Sequence, residues 1–213
     1  MERSEIPDSP VDLAMRRRSR PAGAVCAIDH YPRNMRLTLG DCMPALKWLD
    51  RYSGESTDAL IALENEYRLD SIVLAFEEAL DQKPARSGID SLTAEEQVIL
   101  AVEALEREVN NGGYSQFFFN SSNKYAPIIV DALQRIGCPE AARLTKRAID
   151  IVGVDPTTRS HSYQNAIAEL TPEQDEALGR CDTEYYRVVG DLAGPLFQFI
   201  KSERGRIVLI VLN

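Results

Sequence analysis

The chain has 213 residues and a mass of 23.8 kDa, with 44% apolar and 27% charged side chains and 24 Lys and Arg against 33 Asp and Glu. Such a chain fits one main globular domain, long enough to bury roughly 70% of its unfolded surface without a disulfide or metal staple, and its composition excludes collagen-like, disulfide-scaffold and wholly disordered classes. Charge is uneven: residues 1–50 carry a net +1 and residues 51–213 a net −10, a field that repels nucleic acid and attracts basic surfaces.

Residues 1–38 hold Pro7, Pro10, Pro21 and Pro32, a cluster of Arg16, Arg17, Arg18 and Arg20, and no sustained hydrophobic period. They read as a disordered basic arm that stays solvated, binds phosphate or folds back on the acidic body. From residue 39 apolar residues recur at spacings of three and four, so residues 39–213 read as an all-α domain. A helix is expected over residues 41–52, with Pro44 in its first turn. A longer helical region covers residues 57–82, either continuous or broken near Arg68.

Thr93-Ala94-Glu95-Glu96 is a capping box, and Val98, Val102, Leu105 and Val109 share one face, which predicts a helix over residues 94–110. Asn111-Gly112-Gly113 ends it, because glycine adopts the left-handed backbone a helix C-terminus uses. Residues 125–136, closed by Gly137, and residues 139–152, opened by Pro139 and closed by Gly153, predict an antiparallel helix pair within a multi-helix bundle. Asp155-Pro156 opens a helix toward Leu170, and Thr171-Pro172 with Gln174 opens the next. Gly194-Pro195 bends or interrupts the last helix. The β-prone, uncharged run over residues 207–212 needs to pack into the body or a partner.

That run is also the longest apolar stretch, far short of the roughly 20 residues of a spanning helix, so no membrane segment is expected. Cys26, Cys42, Cys138 and Cys181 lie far apart and suggest reduced thiols in a cytoplasmic protein. His30 and His161 are the only histidines, and no spacing proposes a metal or cofactor site. Phosphate-binding, dinucleotide-binding, nucleophile-elbow and zinc-protease motifs are absent, so no catalytic residue is expected.

The unusual segment is EVNNGGYSQFFFN at residues 108–120. On a helical wheel Glu108 lies at the edge of an apolar face, where a desolvated carboxylate requires donors. Asn110, Asn111, Gln116 and the amides of Gly112 and Gly113 are candidates. Two readings stay open: a small polar pocket in which Glu108 is a base or ligand group, or a satisfied polar knot at a sharp turn.

With residues 92–97 (LTAEEQ), this segment resembles the bacterial DNA-mimic-protein family of all-helical domains, over roughly residues 58–170. Its motif core maps to Glu108, Asn110, Asn111, Gly112, Gly113, Gln116, Phe118 and Asn120. The resemblance implies a dimeric helical protein, most simply a homodimer, whose acidic surface imitates duplex-DNA phosphates and occupies the basic surface of a DNA-binding protein.

Candidate mimicking carboxylates follow from helical spacing. If residues 57–82 form one helix, Glu66, Asp70, Glu77 and Asp81 share a stripe with axial steps of roughly 6, 10.5 and 6 Å, near multiples of the ~3.4 Å phosphate step. If the helix breaks near Arg68, Glu95, Glu96, Glu103 and Glu106 on the next helix are the better set.

Overall fold

The computed structural model describes residues 45–87, 91–155 and 160–209. The basic arm, Cys26, Cys42 and the end of the apolar tail lie outside the described residues. The rest is all-α, with eight α-helices and no β-strand among the described residues: α1 Thr57–Ile61, α2 Leu69–Ser87, α3 Ala94–Phe119, α4 Ile129–Arg135, α5 Pro139–Val152, α6 Ser160–Ala168, α7 Pro172–Val188 and α8 Ala193–Ser202. No helix among them is long and apolar enough to cross a membrane.

Helix α3 is central, packing against α2, α4, α6, α7 and α8. Its residues from Val98 to Leu105 are buried without a break, so it presents no solvent face there, as expected of a helix apolar on more than one side. Ile72, Phe76 and Leu80 of α2, Leu133 of α4, Leu144 and Ala148 of α5, Leu178 of α7 and Leu196, Phe197 and Ile200 of α8 complete the core.

The local signals fall where cap chemistry places them. Thr93 Oγ1 accepts from Glu96 N at 3.2 Å and Glu96 Oε2 from Thr93 N at 2.9 Å. Thr171 and Gln174 repeat the pattern at the start of α7. Pro139 opens α5 and Gly153 closes it with φ +72°.

Residues 45–52 and the last helix differ from expectation, and residues 57–82 take the broken one of their two expected forms. Residues 45–52 are not helical: Lys47 N donates to Glu66 O at 2.8 Å and Lys47 O accepts from Arg68 N at 2.8 Å, while Leu49 N reaches Ser71 Oγ and Tyr52 N reaches Glu78 Oε2. These amides are committed to the α1–α2 region, so an i→i−4 ladder does not form; residues 41–44 lie outside the described residues. The same pairing occupies Glu66 O and Arg68 N, which separates α2 from α1 and its 3-10 continuation Ala62–Asn65. Last, the chain breaks after Val188, and Gly194 and Pro195 lie in the first turn of α8, where proline is tolerated.

The tail beyond α8 packs as extended chain. Ile207 and Leu209 are buried, and Val208 is held by its N donating to Glu96 Oε1 at 2.8 Å and its O accepting from Lys83 Nζ at 3.1 Å.

Candidate functional site

The EVNNGGYSQFFFN segment lies inside α3, which does not stop at the glycines but turns there and resumes. Gly112 (φ −155°, ψ 17°) and Gly113 (φ +79°, ψ −175°) form the kink. A Cβ on Gly113 would stand 2.3 Å from Asp182 Oδ2. Asp182, on α7, uses its other oxygen to accept from Tyr114 N at 2.8 Å, capping the resumed arm as an N-cap residue would. Tyr186 Oη donates to the Val109 carbonyl on the other side of the kink.

Glu108 is buried, and three side chains donate to it: Gln116 Nε2 and Asn120 Nδ2 to Oε2, and Ser122 Oγ to Oε1, each at 2.8 Å. Burial pushes its pKa up; the three hydrogen bonds and the Arg107 charge outweigh that and hold the carboxyl below 4.5. Asn110 and Asn111 are exposed and are not among these donors. The polar groups therefore close on Glu108 as a knot. Phe118 is fully buried, stacked on Tyr163 at 5.3 Å and on Tyr114 at 6.4 Å. Ser122 and Asp182 were missed by sequence reasoning: Ser122 stands just past the segment, and Asp182 gives no local signal.

The structure disperses the eight carboxylates singled out for mimicry. The break at residues 66–68 removes the continuous helix on which the Glu66, Asp70, Glu77, Asp81 stripe depended. Glu66 lies 3.6 Å from Lys47 Nζ, Asp70 pairs with Arg68 and Glu77 with Arg107. Glu77 is 8% exposed, Glu95 7%, Glu96 0% and Glu103 7%, so these four do not form an outer stripe. For Glu95, Glu96 and Glu103 the reason is α3's central position, which turns these acidic residues inward. Glu95 meets Arg135 and Arg206, and both oxygens of Glu96 lie 2.7 Å from Lys83 Nζ.

Two members of the set are instead brought to one place. Glu103 and Glu106 line a cleft of about 260 Å³ with Trp48, Asp70, Leu74, Arg107, Asn110, Asp191 and Ala193. Burial first, then the charges of Glu106 and Glu77 against the opposing Arg107, push the Glu103 pKa up to about 8. Burial and the Asp191 charge raise Glu106 to about 7, opposed by a hydrogen bond from the Leu192 backbone. Asp81 is exposed on α2. Exposed carboxylates outside the expected set include Asp131 and Asp150, which border a larger cleft of about 660 Å³ between α4 and α5, and Glu169, Glu173 and Asp175, which flank the start of α7.

A family model described as DMP19-like protein matches residues 90–203, more than half of the chain. The chain belongs to the DMP19-like protein family. This is the DNA-mimic family that the EVNNGGYSQFFFN segment resembles. The DMP19-like match begins just before α3 and ends just after α8, so it leaves out residues 58–89 and takes in the helices beyond Leu170. It contains the Glu108 knot, Asp182, Glu103, Glu106 and Asp191; Trp48, Asp70 and Leu74 fall outside it. No curated protein and no solved structure matches the chain.

Proposed function

We propose that this chain is a non-catalytic, acidic interaction protein, a DNA mimic that occupies the DNA-binding surface of a partner with a basic groove. Membership of the DMP19-like family carries the reading, and the net −10 over residues 51–213 supports it. An acidic body attracts the surface that duplex DNA would occupy and repels DNA itself, so the protein competes with nucleic acid without binding it. Its working form in this reading is a cytoplasmic homodimer with no cofactor. Glu108 plays no direct part: its oxygens serve the turn that sets α3 against α7.

The test is affinity capture from the host's own lysate at about 50 mM and then about 300 mM salt, after nuclease treatment. A DNA-binding protein retained at low salt and released at high salt is expected, since screening at the higher ionic strength shortens the reach of exposed charges below about 10 Å. Retention only of proteins without DNA-binding activity contradicts the reading.

A further inference from the structure

The cleft between α2, α3 and the start of α8 holds a carboxyl with no partner among the described residues. Glu103 is 7% exposed and lines the cleft, yet its carboxylate makes no hydrogen bond or ion pair with any described residue. A buried carboxylate without donors is costly. The other acids of the cleft are engaged: Asp70 with Arg68, Asp191 as acceptor for Ala193 N at 2.9 Å, and Glu106 with the Leu192 amide. Arg107 turns to Glu77. Among the described residues no cation forms an ion pair with Glu103, since the nearby Arg107 is paired with Glu77.

We propose that the cleft lined by Trp48, Asp70, Leu74, Glu103, Glu106 and Asp191 is a docking site for an arginine side chain of the partner protein. This rests on the reading under Proposed function and names the anchor of that interface. Charge complementarity sets the sign of the occupant. A volume of about 260 Å³ lies below the roughly 300–1,000 Å³ of small-molecule pockets and suits one long side chain. Trp48 and Leu74 are 47% and 41% exposed, so the rim offers an indole and an apolar edge to a flat cation. A guanidinium satisfies both demands, since it stacks on aromatic faces and forms paired hydrogen bonds with carboxylates. The rim already shows this chemistry: Arg68 of the same chain stands over the Trp48 ring at 5.4 Å while paired with Asp70.

The proton on Glu103 gives a second signature. Burial first, then the charges of Glu106, Glu77 and Asp191 against the opposing Arg107, let Glu103 hold its proton to about pH 8. A fixed cation in the cleft expels that proton, so binding tightens between about pH 6 and pH 9.

Trp48 is the only tryptophan in the chain, so its fluorescence reports the cleft directly. The full chain is titrated with a tetra-arginine peptide, with tetra-lysine and spermine as controls. The expected result is a saturable Trp48 response that favours arginine, strengthens from pH 6 to 9, and weakens about tenfold or more in the double variant Glu103→Gln, Glu106→Gln. Glu173→Gln with Asp175→Asn, far along the chain on α7, leaves it within about twofold. The wild-type titration needs no variant to fold. No saturable response, equal weakening by the α7 pair, or tighter binding of spermine than of tetra-arginine overturns the proposal. Undiminished capture of a DNA-binding protein by the Glu103, Glu106 double variant sinks the cleft and leaves mimicry standing. A Trp48 response without any DNA-competed partner does the reverse.

Discussion

Glu103 and Glu108 stand on one helix and titrate in opposite senses because their surroundings differ. Glu108 accepts from Gln116, Asn120 and Ser122 and is held below 4.5. The stability it provides is present above that pH and is lost as pH falls through its folded pKa. Glu108→Gln places an amide among three donors and is expected to cost about 1–3 kcal/mol at pH 7, measured by denaturant unfolding, with the difference from wild type shrinking in acid. Glu103 has no donors and keeps its proton to about pH 8. Between about 4.5 and 8 the folded state binds more protons than the unfolded chain, so stability falls as pH rises. Glu103→Gln is expected to raise Tm near pH 9, by about 2–4 °C for each kcal/mol recovered, and to leave it nearly unchanged at pH 4.5. Calorimetry at the two pH values checks this; a lower Tm near pH 9 contradicts the unpaired carboxylate.

At the scale of elements, what the sequence shows is what short-range chemistry decides. Thr93 with Glu96, Thr171 with Gln174, and Pro139 with Gly153 place helix ends because cap bonds span three or four residues. Residues 45–52 carry a helical pattern, but their amides are claimed by Glu66, Ser71 and Glu78, partners no local window contains. The glycine pair was legible as a break, while the resumption of α3 depends on Asp182 from α7. Gly113→Ala meets both a positive φ and the Asp182 carboxylate and is expected to cost about 2 kcal/mol or more; Gly153→Ala, with φ +72° and open space around it, is expected to cost about 1 kcal/mol. Thermal melts of the two variants separate contact from conformation. Glu96 joins three elements, capping α3, pairing Lys83 of α2 and holding Val208. Glu96→Gln strands a buried ammonium and is expected to cost about 3–5 kcal/mol, read as a shift of the urea midpoint.

For the whole molecule, the acidic excess was visible in composition, but its placement was not. A helical wheel assumes one wet face, and α3 has none over Val98 to Leu105, so its Glu95 and Glu96 lie in ion pairs and its Glu103 and Glu106 in the cleft, while Asp81 of α2 stays exposed. Family membership was legible in thirteen consecutive residues because Glu108, Gln116 and Asn120, which close on one another around the glycine kink, lie within that one stretch. The arginine cleft was not, since Trp48, Asp70, Glu103 and Asp191 meet only through the packing of residues 45–52, α2, α3 and the start of α8. In the proposed function this chain stands in for duplex DNA. That reading is tested most directly by adding the purified chain to its captured partner loaded with fluorescently labelled duplex DNA, and following anisotropy as salt is raised. Displacement of the duplex in a saturable, salt-sensitive manner is the predicted result; a ternary complex in which the duplex stays bound contradicts it.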